Sequence, residues 1–245
     1  MDTIKTKFVK TKIIAHRGLS GIERENTCPA FIAAANRSYY GIETDVHVTK
    51  DGKFVVIHDE NTKRVTLGKH KINVEKCRYA KIKDIVLPDT DGSFDRKDIR
   101  IPLLNEYISI CKKYGKKAVL EIKNHFEMSD IKRLIKEIKK EDYIQNVIFI
   151  SFDFENCINV RSLLPKNEVQ LITKEAVTCE LIKKLSSYNL DIDISYKKLT
   201  KENTELLHSH GIKVNCWTCD DKSTAEKLVM YGVDFITTNI LESLD

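Results

Sequence analysis

A few polar side chains carry most of the chemistry available to this 245-residue sequence. His16-Arg17-Gly18 follows the apolar run Ile13-Ile14-Ala15, and His58-Asp59 closes the run KFVVIHD. Glu43 and Asp45 stand two apart in GIETDVHV, as do Glu121 and Lys123 in KAVLEIK. Residues two apart in a strand share a face, so each pair presents its groups together. Three carboxylates in one place repel unless they are protonated or bridged by a cation. An all-oxygen donor set with no thiolate nearby favours a hard divalent cation, Mg²⁺ or Ca²⁺. Arg17 and Lys123 beside that cation point to an anion that the cation also touches, and a phosphate suits all three. Two histidines can then form an acid–base pair near neutral pH. Taken singly, each of these residues has an ordinary explanation, a hydrogen-bonded histidine or a solvated strand face. Their recurrence at the ends of successive strands is what singles them out.

Positioning them requires a particular frame. Short apolar runs alternate with amphipathic stretches: 12–16, 41–48, 117–123, 146–152, 169–173, 190–195, 212–218 and 234–238 read as strands. A helix can be drawn after almost every one. Ser129 reads as the cap of a helix whose Ile131, Leu134, Ile135 and Ile138 form one apolar stripe. Asp153 caps the next helix, and Gly232 ends the last. Alternating strands and helices imply a parallel sheet with helices outside, and eight units fit an α/β fold of the TIM (β/α)₈ barrel type, where strand C-terminal ends converge on one active site. No Gly-x-Gly-x-x-Gly or Walker loop favours an open sheet. Asp51-Gly52 predicts a tight turn that folds 53–58 back onto the second strand. The stretch 61–100 is polar and aperiodic and reads as an insertion over one end of a single barrel domain spanning 1–245.

The net charge of +5 suits an anionic small molecule and is too small to imply nucleic acid. No stretch of about 18 apolar residues is present, so no membrane anchor is expected. The N-terminal residues lack an apolar signal core, and seven scattered cysteines read as reduced thiols of a cytoplasmic protein.

In order along the chain, His16-Arg17-Gly18, Glu25-Asn26-Thr27, Glu43-Thr44-Asp45-Val46, Thr49-Lys50-Asp51-Gly52 and Val55-Val56-Ile57-His58-Asp59 resemble the glycerophosphodiester phosphodiesterases. The likeness continues through Ile101-Pro102-Leu103-Leu104, Leu120-Glu121-Ile122-Lys123, Ser151-Phe152, Trp217-Thr218 and Gly232-Val233-Asp234. It implies hydrolysis of glycerophosphodiesters to sn-glycerol 3-phosphate and an alcohol, through a cyclic phosphate. It makes His16 and His58 the acid–base pair. Glu43, Asp45 and Glu121 become the ligands of a divalent cation, and Arg17 and Lys123 bind phosphate. A lysophospholipase D-type reaction on lipids, or a non-catalytic binding barrel, are the alternatives.

The sequence departs from the family pattern at two places. Arg24 replaces the usual proline before Glu-Asn-Thr, and Asn239 is followed by Ile-Leu with no proline. Asn26 or Thr27 can cap a helix with Pro29 in its first turn, while Glu25 can instead stand at the rim of the site. Trp217, at a strand end, either walls the glycerol pocket or packs in the core. Cys216-Trp217-Thr218-Cys219 lacks a second Cys-x-x-Cys and falls in a strand, so it reads as packed core thiols rather than a redox or zinc pair.

Overall fold

The computed structural model describes residues 2–8 and 10–244. Its centre is a closed barrel of eight parallel strands, β2 (Lys12–Ala15), β3 (Gly41–Val48), β5 (Lys117–Ile122), β6 (Val147–Ser151), β7 (Glu168–Thr173), β8 (Asp191–Ser195), β9 (Val214–Trp217) and β10 (Phe235–Thr238). Pairing of β2 with both β3 and β10 closes the ring. Strand β4 (Phe54–Val56) pairs antiparallel with β3, the fold-back that Asp51-Gly52 predicts, with Gly52 at φ +77°. A two-stranded ribbon of β1 (Ile4–Thr6) and β11 (Leu241–Ser243) joins the chain ends.

Helices α1 (Cys28–Ala35), α2 (Leu104–Tyr114), α3 (Met128–Lys140), α4 (Phe154–Leu163), α5 (Cys179–Ser187), α6 (Lys201–Ser209) and α7 (Lys222–Tyr231) follow the first seven barrel strands, and β11 rather than a helix follows β10. Thr27 caps α1, Asp153 caps α4, and Gly232 ends α7 at φ +86°. The apolar stripe of α3 is buried as its period predicts. Its cap is not Ser129, however. The helix starts at Met128 because the Glu127 carbonyl already accepts the N–H groups of Asp130 and Ile131, which leaves Ser129 inside the first turn. The entry is held instead by buried Phe126, whose N–H donates to Asn156 Oδ1 at 3.0 Å.

The alternation of the strands builds two layers of core. Ile42, Val46, Ala118, Leu120, Val147 and Phe149 belong to the large apolar cluster shared with the helices, while Ile14, Val119, Ile148, Ile150, Ile172 and Phe235 form a second, smaller cluster. The same period puts Glu43, Asp45 and Glu121 on the alternate face from their apolar neighbours.

Strand β4 divides its neighbours in the same way. Phe54 and Val56 join the main core, and Val55 faces a separate apolar cluster with Ile57, Val65, Val74, Ile82, Leu87 and Ile99. The segment between β4 and α2 is therefore a lobe with a small core of its own, although its sequence shows no strand or helix period.

Candidate active site

Register brings the carboxylates together. Strands β3 and β5 pair with Asp45 level with Glu121. One oxygen from each of Glu43, Asp45 and Glu121 lies within 4.8 Å of the others, and all three side chains are buried. Burial and the neighbouring carboxylates of Asp45 and Glu121 push Glu43 well above the usual carboxylate range. Burial and then Asp45 push Glu121 up to about 7. Burial would also raise Asp45, but Lys123 and Arg17 outweigh it and hold this carboxyl low. Asp45 Oδ1 is buried and lies 3.3 Å from the Lys123 ammonium. Negative charge crowded at one buried point is what a divalent cation relieves. The donor set therefore fits the cation expected from the sequence.

The loop after β2 is folded onto this trio. Arg17 adopts φ +54° and Asn26 φ +55°, unusual for residues with side chains. Both are held in place. The Arg17 N–H donates to Glu43 Oε2 at 2.8 Å, and the Asn26 N–H donates to the Arg17 carbonyl at 2.9 Å. Asn26 Nδ2 donates to Asp45 Oδ2 at 2.7 Å. Gly18, at φ +77°, lies so close to the start of α1 that an added Cβ would come within 2.7 Å of Ala30. Only glycine lets the His-Arg-Gly turn sit there. Thr27 is thus the cap, Asn26 is a buried support for Asp45, and Glu25 stands at the rim, where it pairs with Arg17 at 2.9 Å.

His16, Arg17, Glu43, His58 and Glu121 all line one cleft. Trp217 lines it too, with Phe152, and the two rings meet edge to face at 5.7 Å, so Trp217 serves as a wall of the cleft. Lys123 lies 2.7 Å from Glu121 and 3.3 Å from Asp45, neutralising the carboxylates.

The histidines have different partners. His16 Nδ1 lies 2.7 Å from the Asn239 amide oxygen, and burial followed by the Arg17 charge pushes its pKa down to about 4. His58 Nδ1 lies 2.7 Å from the Asp59 carboxylate. Burial lowers His58 as well, with Asp45 and Asp59 opposing. Asp59 also accepts from Arg64 of the lobe, which grips Glu25 with its other nitrogens at 2.8 Å. Sequence reasoning offered Asn26 only as an alternative helix cap and gave no role to Asp59, Arg64, Asp220 or Asn239. The only signals were the position of Asp59 after His58 and of Asp220 after Trp217-Thr218. Buried Asp193 also lines the cleft, with one carboxyl oxygen unpartnered.

The Cys216 and Cys219 thiols are buried, and burial pushes both up, Cys219 to about 11. Thiols in that state pack as small apolar groups and are poor nucleophiles.

Among the described residues no helix is long and apolar enough to cross a membrane. The family profile of the glycerophosphoryl diester phosphodiesterases matches residues 16–243. A glycerophosphodiester phosphodiesterase of Caldanaerobacter subterraneus is 31% identical over 96% of this chain and 97% of its own. The structure of a glycerophosphodiester phosphodiesterase from Parabacteroides distasonis is 28% identical, with a TM-score of 0.78 over 96% of this chain and 94% of that one. A phosphodiesterase of Oleispira antarctica, solved with the product sn-glycerol-3-phosphate, shares the fold with a TM-score of 0.85 at 24% identity, over 93% of this chain and 92% of that one. With both histidines and the carboxylate trio inside the matched span, the chain belongs to the glycerophosphoryl diester phosphodiesterase family.

Proposed function

We propose that this protein hydrolyses glycerophosphodiesters to sn-glycerol 3-phosphate and an alcohol, with a divalent cation, Mg²⁺ or Ca²⁺, held by Glu43, Asp45 and Glu121. The observation that carries this reading is a buried carboxylate trio of which Glu43 and Glu121 open into the same cleft as His16, His58 and Arg17, with an Asp45 oxygen within 4.8 Å of theirs. When bound, the cation supplies positive charge that polarises the phosphoryl oxygens. Arg17 binds the phosphate alongside it. Lys123 joins Arg17 in that role, because a cation on the carboxylates takes over the charge that its ammonium now neutralises. Trp217 and Phe152 give the glycerol backbone an apolar wall.

The partners of the histidines divide the proton work. His16 faces an amide, which cannot stabilise an imidazolium as a carboxylate can, and its low pKa keeps it neutral. It is the base. A hydroxyl of the substrate's glycerol attacks phosphorus and gives its proton to His16 as the P–O bond to the alcohol breaks. His58, backed by the Asp59 carboxylate, protonates the departing oxygen. In the second half water attacks the cyclic phosphate, His58 takes the water proton, and His16 returns its own to the glycerol oxygen.

We propose a single barrel domain, with 61–100 as an insertion, acting on a small phosphodiester. The seven free cysteines support a reducing, cytoplasmic setting. The test is a panel of glycerophosphodiesters with released glycerol 3-phosphate measured with and without EDTA. Release that stops on chelation and returns with Mg²⁺ or Ca²⁺ is expected. Release unaffected by exhaustive chelation, or no release from any member, would overturn the reading.

A further inference from the structure

His16 does not meet a charged group directly, yet a carboxylate stands one residue behind its partner. Asn239 follows β10, and Asp220 lies in the loop after β9. Asp220 Oδ2 accepts from Asn239 Nδ2 at 2.6 Å, and Asp220 Oδ1 accepts from the Asn239 backbone N–H at 2.7 Å and the Thr238 hydroxyl at 2.9 Å. The segment carrying Asp220 is itself tied to β10, since the Cys219 N–H donates to the Thr237 carbonyl at 3.0 Å.

These bonds have directions. An ionised carboxylate only accepts, so the Asn239 NH₂ must face Asp220 and its oxygen must face His16. An amide oxygen only accepts, so His16 Nδ1 must carry the ring proton. Ser20 is the other polar group on this amide. Its Oγ lies 2.7 Å from both Asn239 Oδ1 and the His16 carbonyl. A hydroxyl can donate or accept by rotating, so Ser20 tolerates either orientation of the amide and does not choose between them. Asp220 does.

We infer that Asp220 is a positioning residue that sets the protonation pattern of His16: by locking the Asn239 amide it holds His16 as the Nδ1–H tautomer and leaves the Nε2 lone pair for the substrate. The inference rests on the proposed reading that His16 is the base. The low pKa of His16, about 4, agrees with a neutral ring whose tautomer is a real choice. A flipped amide would place NH₂ against Nδ1, move the ring proton to Nε2 and remove the lone pair that the base uses.

The discriminating variant is Asp220→Asn. Its remaining Oδ1 can still accept from the Asn239 N–H and the Thr238 hydroxyl, so the loop keeps its frame. Its new NH₂ faces the Asn239 NH₂, two donors in contact, and the Asn239 amide turns over. In the full-length protein with ¹⁵N-labelled histidine, the ring-nitrogen shifts should show Nδ1 protonated in the wild type and Nε2 protonated in Asp220→Asn. Turnover should fall ~10²-fold, the lower end of lost general-base catalysis, with KM within a few-fold. The double variant Asp220→Asn with Asn239→Asp restores donor-to-acceptor order: the residue-220 amide donates to the residue-239 carboxylate, which accepts from His16 Nδ1. Most of the turnover should return. The low-pH limb should move upward, because a carboxylate now stabilises the imidazolium. A wild-type ring protonated at Nε2, or an Asp220→Asn ring still protonated at Nδ1, would overturn the inference. No rescue in a folded double variant would do the same. A tautomer that exchanges while turnover stays at the wild-type level would uphold the positioning by Asp220 and overturn the base role of His16.

Discussion

The two histidines reach the same cleft from differently built regions. His16 directly follows barrel strand β2, and its partner Asn239 follows the neighbouring strand, 223 residues away in sequence. His58 enters from the hairpin and lobe, its partner Asp59 is adjacent in sequence, and Arg64 and Glu25 complete the link. One region supplies a neutral amide in a fixed frame, and the other supplies a carboxylate held by a half-exposed arginine. On the proposed reading, what stands behind Nδ1 pushes similar imidazoles toward opposite proton tasks.

The largest effect should come from removing what both regions share. Exhaustive chelation, or Glu121→Ala, is expected to abolish turnover, with cation binding lost by calorimetry and the fold retained by circular dichroism. Cation affinity should also weaken as pH falls through about 7, where Glu121 takes up a proton that the cation must displace. Turnover of Glu121→Ala at the wild-type level would remove the carboxylates from the account.

Next comes the asymmetry itself. In Asp59→Asn the His58 imidazolium loses its carboxylate, so its pKa should fall by about one unit or more. The acid must be protonated to act, so activity is lost as pH rises through this pKa, and the alkaline limb moves to lower pH. The low-pH limb, set by His16, should not move. A shift of the low-pH limb in Asp59→Asn would interchange the two roles.

Arg64→Ala should do less. Its ion pairs are partly solvated and worth ~0–1 kcal/mol each after screening. A few-fold change in turnover is expected, with faster amide exchange confined to 57–103. Equal loosening of the barrel strands would show that the lobe and barrel are not separable in this way.

The smallest catalytic effect should come from Cys216→Ser. Burying a hydroxyl where a thiol packed costs about 1–3 kcal/mol and lowers Tm, with turnover within a few-fold. A ~100-fold loss of turnover in a folded protein would revive a chemical role for the thiols.

How much of this could be read from the sequence follows the range of the interactions. Strand and helix periods are local, so all eight barrel strands and the Asp51-Gly52 turn were legible, as was the shared face of Glu43 and Asp45. The barrel and the convergence of the site residues follow from them. The Ser129 cap was misplaced because the entry to α3 is decided by Phe126 and Asn156, a contact 30 residues apart. Arg64 sits in a stretch without period, and nothing local marks it as the tie between Glu25 and Asp59. Asn239 stood out only as the start of an ending without proline. Its bond to His16 exists only once β10 closes against β2, and its bond to Asp220 only once that loop packs beside it. The lobe core stayed hidden because, Val55 of β4 apart, its apolar residues come from turns and single bridges rather than from strands or α-helices.

The division of proton work between the histidines is tested most directly by leaving-group dependence. His16→Ala and His58→Ala are compared on a glycerophosphodiester with an alkyl alcohol and on one with p-nitrophenol, which departs without protonation. Both variants should lose ~10²–10⁴-fold on the alkyl substrate. On the p-nitrophenyl substrate His58→Ala should recover much of that loss and His16→Ala should not. Recovery by His16→Ala instead, or by neither variant, would contradict the assignment of His58 as the acid and His16 as the base.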